Sequence, residues 1–247
     1  MTSPLVSCLC VTEGRATFMP WLLWCFDRQA WPTRELVIID SSEQPVQVAA
    51  RDDVRVLTVP TRTAVPAKRN IALQEAHGEI LTWFDDDDWQ HPYKLVWLIE
   101  ALCGGAPYAG STSGWFVDLR ELRCAPYRGS AGRITFNGAG FRRDAVIPFT
   151  FREQIYRASD THWMRTIAAR YRGQEALVDR GDLFFWLSHE GNLSNPARKR
   201  RFRHDLSTLR DRVGPAAWGD TDVALDSLRR RVVGTFDEPA VEHAKGD

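Results

Sequence analysis

Four consecutive aspartates, Asp85, Asp86, Asp87 and Asp88, are the residues whose type and spacing most constrain the chemistry of this chain. On an extended backbone Asp85 and Asp87 point to one side, Asp86 and Asp88 to the other. Carboxylates this close repel, and some keep their protons unless a cation neutralises them. A hard divalent ion, Mg²⁺ or Mn²⁺, does this with one or two carboxylates plus phosphate oxygens. A departing diphosphate needs the same ion, because negative charge builds on it as its bond breaks. The competing reading is a solvated acidic turn, with Asp88 or His91 capping the following helix. Ten tryptophans add flat faces that stack on sugar rings. Most belong to the core; Trp89 and Trp115 are the better placed for a ligand.

Apolar runs at residues 5–11 (LVSCLCV), 35–39 (ELVII), 54–59 (VRVLTV) and 79–84 (EILTWF) have strand length, and the last leads straight into the aspartates. Between them lie helical patterns. One starts near Pro20 with Thr17 as its cap. A second runs over 66–77, stopped by Gly78, and a third runs from Pro92 to Gly104 and Gly105. Strands alternating with helices predict an α/β fold, a mostly parallel sheet flanked by helices. Ligands in such sheets collect at the carboxyl ends of the strands, here marked by Thr12, Glu13, Asp40 and the aspartate run. Residues 110–150 loosen into short strand-like pieces with many glycines. A helix over 160–171 follows, with Ser159 as its cap, then a buried strand over 183–188 (LFFWLS) and a charged helical tail after Pro196. Gly129 to Gly140 lacks the Lys-Ser/Thr of a phosphate loop and reads as an acceptor loop.

The ordered series of motifs resembles the family 2 glycosyltransferases of GT-A fold, over roughly residues 4–195. It comprises Val11-Thr12-Glu13-Gly14-Arg15, VIIDSS at 37–42, Ala67-Lys68-Arg69-Asn70, Ala76-His77-Gly78-Glu79 and a D-x-D-D-W segment over 85–89 with Pro92 and Leu95 beyond it. The resemblance implies a nucleotide-sugar site. Asp40 would accept from the base's ring N–H, Thr12 and Arg15 would lie beside the nucleotide, and Arg69 would face its phosphates or base. Asp85, with Asp86 and Trp89 next to it, would contact ribose or sugar, and Asp87 would hold the metal. Glu13 and Ser41 depart from the family's usual residues. The base of an inverting transfer must face the side opposite the leaving group. In the family it begins a helix in the second half, which points to Asp160, with Asp144 and Glu153 as fallbacks. His189, Asn192 and Ser194 are similar to a His-x-x-Asn-x-Ser segment, implying a metal or diphosphate contact for His189. UDP ranks first among donors on this resemblance, then GDP and dTDP, with Mn²⁺ or Mg²⁺ as cofactor.

The 247 residues suit one α/β domain with an appendage. The expected division is a GT-A domain over 1–195, its nucleotide part about 1–105 and its acceptor part about 106–195, then a helical extension over 196–247. Lysine and arginine (32) balance aspartate and glutamate (32), so whole-chain charge selects no polyanionic partner. Five cysteines without a CxxC pair suggest a reducing compartment and no structural zinc. With neither a signal sequence nor an apolar span, the expected location is the cytoplasm. Arg198 to Arg203 and Arg229 to Arg231 are basic. They read as solvated helix faces, or as contacts to a membrane surface, a lipid-linked diphosphate or a nucleic acid. The acceptor hydroxyl, on a glycan, a lipid-linked sugar, a small molecule or a nucleic acid, is not specified. The rival functions are a nucleotidyltransferase on a similar sheet and a non-catalytic nucleotide-sugar-binding relative.

Overall fold

The computed structural model describes residues 3–129, 133–155, 157–189, 192 and 202–233. In chain order its elements are β1 (Val6–Thr12), α1 (Met19–Asp27), β2 (Arg34–Asp40), β3 (Val54–Thr58), α2 (Val65–Glu75), β4 (Ile80–Trp83) and β5 (Trp89–Gln90). There follow α3 (Lys94–Leu102), β6 (Tyr108–Gly110), β7 (Ser113–Asp118), β8 (Arg123–Arg128), β9 (Ala139–Arg142), α4 (Arg143–Val146) and α5 (Ser159–Arg170). The last are β10 (Ala176–Leu177), β11 (Phe184–Ser188), β12 (His204–Asp205), α6 (Leu206–Val213), α7 (Pro215–Trp218) and α8 (Thr221–Val232).

The main sheet has the order β10-β6-β9-β4-β1-β2-β3, and β1 pairs in parallel with both β2 and β4. Its central strands are apolar on both faces because helices cover both: in β2, Leu36, Val37, Ile38 and Ile39 are all fully buried. The chain steps outward from β1 to β2 to β3, then returns to place β4 on the other side of β1. Strand order therefore reverses between β1 and β4, where the diverging loops open a crevice at the carboxyl ends. The turn Thr12 to Arg15 leaves one of these strands and the aspartate run leaves the other.

A second sheet, β12-β8-β7-β11-β5, begins directly after the aspartates. Trp89 in β5 lies flat on Phe185 of β11, with ring centroids 4.0 Å apart and planes at 6°. Helices α6, α7 and α8 close over this pair through Leu209, Trp218, Leu225 and Leu228. The aspartate run is thus clamped between two sheets.

The expected strands and helices occur within a few residues of their predicted ends, with different capping. Thr17 sits in a 3-10 turn, and Phe18 precedes α1 without a side-chain cap. Gly78 does not cap α2, which ends on an extended Ala76. Its glycine is required by contact instead, since a Cβ there would stand 2.6 Å from the Ser7 nitrogen. Ser159 is the first residue of α5, behind a left-handed Ala158 (φ 55°). Residues 193–201, which hold Ser194, the expected domain boundary and most of the first basic cluster, lie outside the described residues. Among the described residues no helix is long and apolar enough to cross a membrane.

Candidate active site

The aspartate run is a turn rather than an extended segment: the Asp88 N–H donates to the Asp85 carbonyl at 3.3 Å. The expected up-down alternation is therefore corrected to two inward-held acids and two flanking ones with shared partners. Asp86 accepts from the Thr12 hydroxyl at 2.6 Å and from Arg15 Nη1 at 2.8 Å. The same Arg15 nitrogen reaches Asp87 Oδ2 at 2.7 Å. On the other side Asn137 Nδ2 donates to Asp85 Oδ2 at 2.8 Å and also to Asp88. One guanidinium and one carboxamide thus tie the four acids to β1 and to the segment before β9.

Beneath them Lys94, fully buried, donates to the carbonyls of Trp83 (3.0 Å) and Asn137 (2.7 Å) and to Gln90 Oε1 (2.8 Å). His91 Nδ1 accepts from the Tyr93 N–H at 3.0 Å, just ahead of α3, whose N-cap residue Tyr93 makes no side-chain cap. Neither Asp88 nor His91 therefore caps the helix as the acidic-turn reading expects, and the aspartates converge elsewhere.

Burial acts differently on each acid. It drives Asp88 well above the usual carboxylate range, with help from the charges of Asp87 and Asp85. It raises Asp85 and pushes Asp86 up to about 6, Arg15 holding the latter back. Burial also opposes ionisation of Asp87, but Arg15 and His189 outweigh it and hold this carboxyl below its ordinary value. Asp87 is the member whose charged form the surroundings favour most.

Asp87 Oδ2 lies 3.1 Å from His189 Nε2 and accepts from Asn192 Nδ2 at 3.1 Å. The His189 N–H in turn donates to Asn192 Oδ1 at 2.6 Å, and its ring packs on Phe18. One carboxylate and one imidazole are donor types that Mn²⁺ and Mg²⁺ accept to different degrees, Mn²⁺ the more readily of the two with nitrogen. No group of three metal-binding side chains converges among the described residues. The set fits an ion that takes its remaining ligands from phosphate oxygens and water.

A cavity of about 500 Å³ opens over this turn. Thr12, Arg15, Arg69, Asp85, Asp86, Asp87 and Asp160 line it, seven of the ten residues the sequence selects. Asp160, the second residue of α5, stands on the wall. Arg69 is held beside it by donating to the Ser159 hydroxyl at 2.9 Å, with its guanidinium over the Phe136 ring. His189 stands behind Asp87 and reaches the site through it.

Two selected residues do not reach the cavity. Trp89 is fully buried against Phe185, so it packs the second sheet and cannot stack on a sugar. Asp40 is also fully buried, and its carboxylate accepts from the N–H groups of Ser42 (2.9 Å) and Val46 (2.7 Å). It shapes the loop after β2, whose Ser42 hydroxyl accepts from the Gly14 N–H at 2.7 Å and so fixes the turn after β1. Trp115 likewise belongs to the core. The fallback Asp144 pairs with Arg142 on the surface.

Further cavity residues are not among those the sequence selects. Lys68 donates to the Thr12 carbonyl, to Ser41 and to Glu13 Oε2 (3.3 Å). Asn137 hides in a glycine-rich stretch that shows no sign of its two acidic partners. Trp186 and Tyr127 are indistinguishable by pattern from the other aromatics. Asn192 is visible only as part of the His-x-x-Asn spacing.

A profile of glycosyl transferase family 2 matches residues 18–146. Sequence comparison with the curated proteins gives no match. Among solved structures, TarS 1–349 from S. aureus in complex with UDP-GlcNAc superposes with a TM-score of 0.56 at 16% identity, over 76% of this chain and 59% of that one. The same protein in complex with UDP gives 0.53 at 15%, over 75% and 60%. The mannosyltransferase PcManGT from Pyrobaculum calidifontis, in complex with GDP-Man and Mn²⁺, gives 0.57 at 14%, over 98% and 77%. The chain spans about three fifths of the length of these two TarS 1–349 chains. At these identities the likeness is one of fold.

Proposed function

Because the chain belongs to glycosyl transferase family 2 and has the mixed α/β architecture of the GT-A enzymes it superposes on, we propose that it moves a sugar from a nucleotide diphosphate to an acceptor hydroxyl with inversion. UDP is the first-ranked nucleotide, ahead of GDP and dTDP. The observation that carries this reading is that Asp85, Asp87 and Asp160 line one cavity, at the carboxyl ends of the parallel strands where the sheet order reverses.

Asp87 and His189 would hold Mn²⁺ or Mg²⁺. That ion, when bound, offsets the charge that develops on the departing diphosphate. Arg15 and Arg69 add fixed positive charge to the same wall. Asp85 is the acid turned toward ribose or sugar, and Asp86 keeps Arg15 and Thr12 in place. Asp160, on the α5 wall, takes the proton of the attacking hydroxyl as the new bond forms on the face opposite the leaving group. With Asp40 turned inward, Glu13 is the acid at the nucleotide end, held by Lys68. Residues 1–105 serve the nucleotide and 106–195 the acceptor; within the extension 196–247, the described helices α6 to α8 support the second sheet.

Titration calorimetry of UDP, GDP and dTDP, each with and without Mn²⁺, tests the proposal. Metal-dependent binding of one nucleotide supports it. A folded protein that binds none of the three overturns it.

A further inference from the structure

A smaller cavity of about 110 Å³ adjoins the first and shares Tyr127, Asn137, Asp160 and Trp186 with it. Its walls come from the segment before β9 and from the α5 stripe Thr161, Met164 and Arg165. Trp186 is half-buried, backed by Phe116 in a stacked arrangement (4.8 Å, 22°) and braced at its edge by Tyr127 (4.7 Å, 85°). A rigid, partly open indole beside a carboxylate is a platform for a sugar ring.

The charge of this cavity is opposite to that of its neighbour. Arg133 and Arg165 both line it, both are exposed, and neither has an acidic partner among the described residues. Arg15, Arg51 and Arg180, by contrast, each pair with a carboxylate. Two uncompensated guanidiniums next to an acidic donor cavity would draw an anionic group to the outer side, because the fork of N–H donors matches a carboxylate or phosphate. A hydroxyl on the same molecule would then face Asp160.

We infer that this cavity is the acceptor subsite, and that the acceptor is a glycoside carrying a carboxylate or phosphate. Trp186 bears its ring, and Arg133 and Arg165 bind its anionic substituent. The inference rests on the proposed transferase reading for the role of Asp160, and on the cavity's own residues for the class of ligand.

The test compares three probes by saturation-transfer NMR, with and without UDP and Mn²⁺: methyl β-glucoside (neutral), methyl β-glucuronide (carboxylate) and glucose 6-phosphate (phosphate). The expected result is at least about fivefold tighter binding of one or both anionic probes than of the neutral one. Which of the two gains more identifies the substituent. In Arg133→Gln/Arg165→Gln the preference should shrink to less than about twofold, with nucleotide affinity unchanged, while Arg231→Gln on α8 should keep it. Equal binding of charged and neutral probes, including no binding of any, overturns the inference, as does a preference that survives in the double variant. The arm without nucleotide judges the cavity even where the nucleotide titration fails, so the two readings fall separately.

Discussion

Replacing Asp87 with asparagine separates a metal ligand from a structural acid. In the resting protein the three contacts at 2.7, 3.1 and 3.1 Å all fall on Oδ2, so a carboxamide that keeps its oxygen there still accepts from Arg15 and Asn192, and from His189 as the Nε2–H tautomer. Removing the charge weakens the hold on Arg15, but Arg15 keeps Asp86 at 2.8 Å. It also relieves Asp85, Asp86 and Asp88, each of which is pushed upward in part by Asp87. The opposing effects leave a net stability change within about 1.5 kcal/mol, against about 3–5 kcal/mol for stripping one partner from a buried ion pair. Ligand binding should respond quite differently. Nucleotide and Mn²⁺ at about 100 times Kd stabilise the wild type by about 2.7 kcal/mol. For a chain of this size that is a rise of about 5–11 °C in Tm. A hundredfold loss of affinity at the same concentrations leaves about 0.4 kcal/mol, or about 1–2 °C. Thermal unfolding of Asp87→Asn with and without UDP and Mn²⁺ reads both quantities. A variant destabilised by more than about 3 kcal/mol that keeps the full ligand-induced shift would refute the reasoning and make Asp87 a structural acid.

Asp160→Asn should lower kcat by about 10²–10⁴-fold while leaving nucleotide affinity intact, measured by steady-state transfer and calorimetry on the same sample. Weakened nucleotide binding would instead place Asp160 on the donor side. Glu13→Gln should change the ranking of UDP, GDP and dTDP in calorimetry, whereas Asp40→Asn should weaken all three together, because Asp40 acts only through the Ser42–Gly14 contact at 2.7 Å. Burial lowers Lys94 to about 8 from 10.5 in the unfolded chain, so between those values the unfolded state holds more protons and stability rises with pH. Urea unfolding should therefore show wild type gaining about 1 kcal/mol relative to Lys94→Met between pH 7 and 9, and equal pH slopes would contradict the burial of a charged Lys94.

The half of the fold that positions the donor site was legible in the sequence because local pattern and tertiary role agree there. A strand covered on both faces must be apolar throughout, and LVSCLCV and ELVII have no other economical use. A polar run immediately after such a strand has to lie at the sheet's carboxyl edge, so the aspartates could be placed without knowing their contacts. The second sheet was not legible. β5 and β12 are two residues long, and although β7 and β8 form a local hairpin, β11 joins β7 and β5, and β12 joins β8, only through pairings distant in sequence. Trp89 shows the consequence: its neighbourhood in sequence is the site, while its ring belongs to a stack with Phe185, 96 positions along the chain, that no local spacing announces. Asp40 failed in another way. The residue sits at the strand end where the fold predicts a site, but its carboxylate is consumed by the N–H groups of the next loop, and hydrogen-bond allegiance is invisible in sequence.

The geometry of the aspartate run explains why four acids are needed where a cation site asks for one or two. A turn that delivers Asp85 and Asp87 to the cavity must itself be anchored, and its anchors must be acceptors, since the neighbouring groups are Thr12, Arg15 and Asn137, all donors. Asp86 and Asp88 fill that role, each only 2% exposed, and burial raises both. Asp87 is the one of the four held below its ordinary value, by the guanidinium it shares with Asp86 and by His189. The inward acids thus fix the backbone, and the carboxylate whose charged form is most favoured is the one that faces the proposed ion. On this account Asp86→Asn should be milder than Asp87→Asn in binding but should loosen Thr12 and Arg15, because an amide can accept from only one oxygen where the carboxylate uses two.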